Sequence, residues 1–256
     1  MCTLVILRRP GHAWPLLFAA NRDEMLDRPW QPPARHWPNR PDVVAGRDEL
    51  AGGTWLGVND HGVGAAVLNR LGSLGPTTDK RSRGELVLEA LDHADASAAA
   101  DALADLDGAA YRSFNLVVAD NRDAFWLRST GTESLDVTPL PTGLSMITSG
   151  ELNDTGSPRI SNFLRQFRDA SPPDIEADDW SAWEALLASR LYDAADGPNE
   201  AMCIVTDHGY GTVSSSLIAL PSPAYTELGY VWRFAPGRPG DTAFAPIGTK
   251  AGPGLV

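Results

Sequence analysis

Cysteine stands at position 2, directly behind the initiator residue, and a strongly apolar run follows it, Thr3-Leu4-Val5-Ile6-Leu7. Removal of Met1 makes this cysteine the N-terminus at the head of a predicted buried strand. That arrangement suits an N-terminal nucleophile. The thiol attacks, and the freed α-amine, with an ordinary pKa of about 7.7–8.0 beside about 8.5 for a thiol, serves as base within the same residue. Met-Cys also opens ordinary chains in which the cysteine is a small apolar strand residue. The reading therefore depends on what else reaches position 2.

The polar tetrad Asn21-Arg22-Asp23-Glu24 closes a second apolar run, Leu16-Leu17-Phe18-Ala19-Ala20. Pro10-Gly11 predicts a turn between the two runs, and antiparallel pairing brings the far end of the second beside the start of the first. Arg22 or Asp23 then meets Cys2. A carboxylate there holds the α-ammonium or orients the amine, while a guanidinium lowers the thiol pKa. The same four residues could instead form a surface turn with a local ion pair of little energetic weight.

The elements that must carry these groups alternate in blocks. Residues 28–41 hold five prolines among Trp30, His36 and Trp37 and predict an irregular, stiff loop. Gly52–Val58 and Val63–Leu68 predict a hairpin, with Asn69 and Arg70 at its end. After a polar loop over 70–81, Ser82 and Glu85 have capping-box spacing for a helix through Leu91, and Ser97–Leu106 predicts a second. Phe114–Ala119 and Ala124–Leu127 form another hairpin, followed by strands near Ser134–Val137 and Leu144–Thr148. Ser157-Pro158 opens a helix with Ile160, Phe163, Leu164 and Phe167 on one face, and Trp180–Leu191 a further one. Strands at about Ala201–Thr206, Thr212–Ala219 and Tyr225–Phe234 precede a Gly/Pro-rich tail over 235–256. Paired helices between strand blocks argue against a parallel βαβ sheet. The expectation is an α+β fold, a four-layer αββα sandwich of two antiparallel sheets flanked by helices, in a single domain over 1–256.

Composition narrows the function classes. The chain has 43% apolar residues and eight Trp, ample for a core, and a net charge of −12 that argues against nucleic acid as a partner. The first 83 residues carry 11 Lys/Arg against 8 Asp/Glu, so a basic patch that steers anionic ligands belongs there. From Glu85 to Asp107 there are seven acids and no Lys or Arg, which reads as a solvated helical face. Two cysteines, Cys2 and Cys203, suit a reducing cytoplasm, although one bridge between them is open. Arg8, Arg9, Pro10 and His12 interrupt any signal-peptide core, and no run of about 20 apolar residues predicts a membrane span. The sequence says nothing of oligomeric state.

Taken together, Met1-Cys2, Asn21-Arg22-Asp23-Glu24, Gly52-Gly53-Thr54-Trp55-Leu56-Gly57, Arg83-Gly84-Glu85-Leu86-Val87, Phe114-Asn115-Leu116 and Gly209-Tyr210-Gly211-Thr212 resemble, in order, the NRDE family, also called the transport and Golgi organisation protein 2 family. The likeness runs from residue 1 to about 234 and implies an N-terminal-nucleophile-hydrolase-like fold. Cysteine amidases that cleave penicillin V and conjugated bile salts are similar by pattern: their cysteine matches Cys2, and their Asn-x-Asp matches Asn21 and Asp23. Their oxyanion-hole asparagine falls at Ser149, and the arginine that follows Tyr-Gly-Thr in them is Val213 here. Losing one oxyanion donor costs about 2.7–4 kcal/mol of transition-state stabilisation.

Those departures favour, by resemblance, a protein that binds or traffics haem or a similar amphipathic anion in the cleft beside Cys2. The alternative is an N-terminal cysteine amidase acting on linear C–N amide bonds. The catalytic set is then Cys2, Asn21, Arg22 and Asp23, and the ligand-facing set Arg22, Glu24, Trp55, Asn69, Arg70 and Ser149. Haem, as a bound ligand, has axial candidates in Cys2, His12, His36, His61, Met202 and Cys203. Trp30 and Trp37 beside His36, with Arg35 and Arg40, could line an apolar pocket with cationic partners. No Cys-x-x-Cys-His motif and no metal-ligand spacing occur, Gly52–Gly57 lacks the features of a phosphate loop and reads as a close backbone approach, and Ser214-Ser215-Ser216 lacks a serine-hydrolase context.

Overall fold

The structure is a computed structural model that describes residues 2–75 and 77–248. In chain order it contains β1 (Thr3–Arg8), β2 (Leu16–Met25), β3 (Trp30–Ala34), β4 (Val43–Asp48), β5 (Leu56–Asn59), β6 (Gly64–Asn69), α1 (Gly84–Ala90), α2 (Ala96–Ala104), β7 (Phe114–Ala119), β8 (Ala124–Ser129) and β9 (Asp136–Pro139). There follow β10 (Gly143–Ile147), α3 (Pro158–Asp169), α4 (Ser181–Leu187), β11 (Tyr210–Leu220), β12 (Val231–Ala235) and β13 (Ala245–Pro246). Two compact units result, Met1–Arg28 with Pro141–Val256, and Pro29–Leu140. Each contains one antiparallel sheet and one helix pair, so the class is α+β. No helix among the described residues is long and apolar enough to cross a membrane.

In the first unit the strand order is β10-β1-β2-β11-β12-β13. β1 and β2 form the expected hairpin, with Thr3 opposite Asn21 and Arg8 opposite Leu16. Side chains alternate across the pleat, so Val5, Leu17 and Ala19 share one face. That face packs on Ile160, Phe163 and Phe167 of α3 and Trp183 and Leu187 of α4. Phe167 and Trp183 meet edge to face, with centroids 5.5 Å apart, a geometry worth about 0.5–1.5 kcal/mol beyond burial.

The second unit orders its strands β3-β4-β5-β6-β7-β8-β9. Helices α1 and α2 bury Leu86, Val87, Ala99 and Leu103 against Val43, Ala65, Leu116 and Leu127. The Gly-Gly-Thr-Trp segment is a close backbone approach. A Cβ on Gly53 would lie 2.6 Å from the carbonyl carbon of Gly84, at the start of α1, and one on Gly46 would lie 2.3 Å from the Trp55 ring.

Several local expectations are corrected. Strand β2 continues through the tetrad to Met25 because β11 pairs with it along its whole length. Within the loop predicted over 28–41, Trp30–Ala34 is a strand paired with β4 across an irregularity between Gln31 and Ala34 that accommodates Pro32 and Pro33. Residues 52–55 precede the strand rather than belong to it. Arg83 occupies the N-cap position of α1 without a side-chain capping bond, and Ser82 Oγ accepts the Gly84 N–H, so the capping box is not made. Helix α4 stops at Leu187.

Residues 201–204 are buried but form no regular strand. Cys203 N bonds to Ser189 O, Ile204 N to the Thr212 hydroxyl and the Ile204 carbonyl to the Thr212 N–H, and Val205 makes a single antiparallel bridge with Gly211 of β11. Residues 223–228 form a 3₁₀ turn ahead of β12. Within the Gly/Pro-rich tail, Ala245–Pro246 pairs with β12, and residues 249–256 lie outside the described part. Both cysteines are free.

Candidate functional site

The first unit brings Cys2, Thr3 and the tetrad together through the β1–β2 register. Continuing that register one residue beyond Thr3 and Asn21 sets Cys2 opposite Arg22. The Asp23 N–H points at Cys2 Sγ, 3.4 Å away, and the thiol faces the Asp23 carbonyl at 3.6 Å. Cys2 is half-buried. Burial, and then the Asp23 charge, push its thiol above the ordinary value, against the Asp23 N–H and Arg22, which pull it down.

Asp23 is the centre of a closed polar network. Its side chain is 0% exposed, and so is nearly all of Arg159, at 1%. Arg159 Nη1 donates to Asp23 Oδ2 at 3.2 Å and to Thr3 Oγ1 at 2.8 Å, and Nη2 donates to the Asn199 carbonyl. The other carboxylate oxygen accepts from Thr212 Oγ1 at 2.6 Å. A β-bulge makes this last bond. Asn21 pairs with Ser215 and Arg22 with Ser214, but Asp23 then pairs with Thr212, because Val213 is the extra residue.

Asn21 is occupied elsewhere. Its amide donates to the carbonyls of Leu187, at 2.9 Å, and Met202, at 2.8 Å, and its oxygen accepts from Ser215 Oγ. These bonds tie β2 to the end of α4 and to the 201–204 segment. Arg22, on the opposite face of the strand, is 5% exposed, with Nη2 4.0 Å from Glu24 Oε2; Glu24 also lies 3.7 Å from Arg28 Nε. Ser149 is buried two residues beyond β10, whose last pair with β1 is Ile147 with Leu4, so the same register leads Ser149 toward Cys2.

Sequence reasoning missed Arg159, Thr212 and Tyr210 as site residues. The Tyr210 phenol is raised by burial first and then by the charges of Cys2 and Asp23, so it stays a neutral O–H donor in their field. Trp55, Asn69 and Arg70 belong to the second unit. Trp55 stacks edge to face on Trp30, at 5.8 Å, and Arg70 Nη1 donates to Asn115 Oδ1 at 2.8 Å, which also accepts from Trp126 Nε1. Asn69 ends β6 opposite Phe114.

Most of the haem-ligand candidates are buried or bonded within their own unit. Met202 and Cys203 are 0% exposed in the core. His12 Nδ1 accepts the Trp14 N–H, His36 Nε2 is bonded to the Pro32 carbonyl, and His61 sits in a turn whose N–H bonds to Asn59. Around His36, Arg35 bonds to Asp60 and Arg40 to both oxygens of Asp92, so both cations are neutralised within the protein. Among the described residues, no three His, Cys, Asp or Glu side chains are grouped to hold a metal ion.

Comparison with solved structures shows a shared fold at low identity. An N-acylethanolamine-hydrolyzing acid amidase ortholog from Caenorhabditis elegans is similar with a TM-score of 0.59 and 13% identity, over 84% of this chain and 92% of the other. The C2A mutant of a conjugated bile acid hydrolase from Clostridium perfringens gives 0.52 and 12%, over 96% and 92%. Penicillin V acylase from Agrobacterium tumefaciens gives 0.52 and 14%, over 96% and 84%. The fold is that of N-terminal-nucleophile hydrolases. In sequence, the human Transport and Golgi organization protein 2 homolog is 38% identical over 114 residues, and the mouse one 37% over 112. Those matches span 43% of this chain and 40% of each relative, so the chain aligns with about two fifths of their length. The profile of the Transport and Golgi organisation 2 family matches residues 1–224, and the chain belongs to that family.

Proposed function

We propose that the chain is an N-terminal cysteine amidohydrolase acting on a linear amide whose acyl part is amphipathic. The observation that carries this reading is the contact between the Cys2 sulfur and the Asp23 peptide, backed by a carboxylate buried on Arg159 and Thr212. A buried charge this well satisfied, beside a thiol at the end of a strand, is a costly arrangement for structure alone. The solved structures that share the fold are named as an amidase, a hydrolase and an acylase. Haem binding draws no comparable support, because Met202 and Cys203 are buried in the core and His12 and His36 are bonded to backbone groups.

Loss of Met1 supplies the missing base. The new α-ammonium sits on the nucleophile's own residue and lowers the thiol pKa that burial had raised. The neutral amine takes the thiol proton as Sγ attacks the substrate carbonyl, and a tetrahedral oxyanion forms. Ser149 Oγ and backbone N–H groups are the donors for that oxyanion. Collapse breaks the C–N bond, the leaving amine takes the proton, and the acyl group remains on Sγ as a thioester. Water, deprotonated by the same amine, then releases the acid and restores the thiol.

Incubation of Met1-free protein with an N-acylethanolamine, a glycine-conjugated bile acid and penicillin V, followed by intact-mass analysis, tests this reading. An acyl adduct on the N-terminal peptide, absent in Cys2→Ala, is expected with at least one of the three. No adduct and no released amine in fully processed protein overturns it.

A further inference from the structure

Arg159 comes from the first turn of α3, 136 positions from Asp23 in sequence, and is as buried as any core side chain. Its Nη1 bridges the β1 and β2 strands by donating both to Thr3 Oγ1 and to Asp23 Oδ2. Its own position is fixed from a third element: Nη2 bonds to the Asn199 carbonyl, and the Arg159 N–H bonds to Glu200 Oε2 at 3.3 Å. Such a convergence is more than packing requires, since a residue at the second position of a helix has solvent available.

We propose that Arg159 is the positioning residue of the Cys2 site: it neutralises Asp23 in place and thereby keeps the Cys2 thiol ionisable. This inference rests on the nucleophile reading above for its functional meaning, but its chemistry is tested without any amide substrate. The groups that set the electrostatics are Arg22, Asp23 and Glu24 from β2, Tyr210 from β11, Arg159 from α3, and Cys203 with Glu200 from the segment before β11. Of these, Arg159 donates to the Asp23 carboxylate through Nη1. Arg22, which the β1–β2 register sets opposite Cys2, also pulls the thiol down and has an ion pair with Glu24. With Arg159 in place, the Asp23 carboxylate acts on the thiol as half of an ion pair. Without it, the Asp23 carboxylate, still bonded to Thr212, keeps its full charge near Cys2 and drives the thiolate fraction down.

The test is the pH dependence of iodoacetamide alkylation at Cys2, followed on the N-terminal peptide of the full chain. Arg159→Gln is expected to move the profile to higher pH and to cut the rate at pH 7.5 by about threefold or more, the change that half a pKa unit produces. Arg159→Lys, which keeps the charge, is expected to leave the profile in place even where it lowers Tm. In an Asp23→Asn background the Arg159→Gln change is expected to produce no further shift, because the charge it compensates is gone. A merely structural role gives the opposite pattern, faster alkylation from a loosened site with an unmoved profile, and that outcome overturns the proposal. If Arg159→Gln yields no folded protein, an upward shift in Arg159→Lys comparable to a full unit overturns it equally. An unmoved Arg159→Lys profile with a downward shift in Asp23→Asn supports it. Positioning with no acyl adduct on any amide leaves this inference standing and removes the amidase reading, whereas adducts with an unmoved profile do the reverse.

Discussion

Thr212 Oγ1 and Asp23 Oδ1 lie 2.6 Å apart because β11 bulges at Val213. Without the bulge, regular pairing beyond Ser214 and Arg22 would set the apolar Val213 opposite Asp23. Changing Thr212 to valine removes a hydroxyl that donates to the buried Asp23 carboxylate and accepts the Ile204 N–H, at a cost of about 1–3 kcal/mol. Urea unfolding of Thr212→Val is expected to show a lowered midpoint with an unchanged slope, and an unchanged midpoint counts against the network.

Asp23→Ala leaves Arg159 charged and buried with Thr3 and the Asn199 carbonyl as its partners. Breaking one side of such a pair costs about 3–5 kcal/mol. The expected result is a loss larger than that of Thr212→Val by equilibrium denaturation. Equal losses would mean that the ion pair adds nothing to the hydroxyl bond.

Asn21→Leu tests a structural clamp. The side chain spans two carbonyls and a serine hydroxyl, all buried, so each orphaned group costs about 1–3 kcal/mol. Hydrogen exchange is expected to rise first at the peptides around Leu187 and Met202. If exchange rises instead at Cys2 and Asp23 alone, the amide orients the nucleophile rather than α4.

Gly53→Ala drives a methyl group to 2.6 Å from the Gly84 backbone, where no rotamer relieves it. Overpacking of this kind costs about 1–3 kcal/mol. A lowered Tm with α1 amides losing protection is the expected outcome, while a neutral variant would show that the two backbones separate freely.

Alkali is expected to destabilise the fold. Burial raises Cys2, Cys203, Tyr111 and Tyr210 above their ordinary values. Between the unfolded and folded pKa the native state holds more protons than the unfolded chain, so stability falls as pH rises through that window. It opens near about pH 8.5 for the thiols and about pH 10 for the phenols. Urea midpoints should decline from pH 8 to 11, and replacing both cysteines by alanine should flatten the first part of the decline.

Local pattern determined a good deal of this molecule. The near-continuous apolar run Phe114–Ala119 has the bounds of β7, and Pro158 with the apolar residues at 160, 163, 164 and 167 specifies α3. The hairpin that returns the tetrad to Cys2 follows from two apolar runs and one turn. Where pattern and backbone part company, partners far along the chain decide. The run Ala201–Ile204 is apolar enough for a strand, yet its peptides bond to Ser189 and Thr212, and pairing with β11 is limited to one bridge at Val205. Val43–Asp48 lacks a local signature and becomes a strand because β3 and β5 flank it.

The tetrad shows the division most clearly. Four polar residues in succession carry no alternation, and by themselves fit a turn as well as a strand. β11, some 190 residues later, pairs with all four and holds them extended, and Arg159 and Thr212 bond the buried Asp23 carboxylate. Arg165 and Arg168 of the same helix are solvent-facing, and no neighbour in sequence distinguishes Arg159 from them. Sequence placed a cysteine and a carboxylate at one end of one hairpin. Which way each side chain points, and which cation meets it, is decided by long-range pairing and by the cost of leaving a buried charge alone.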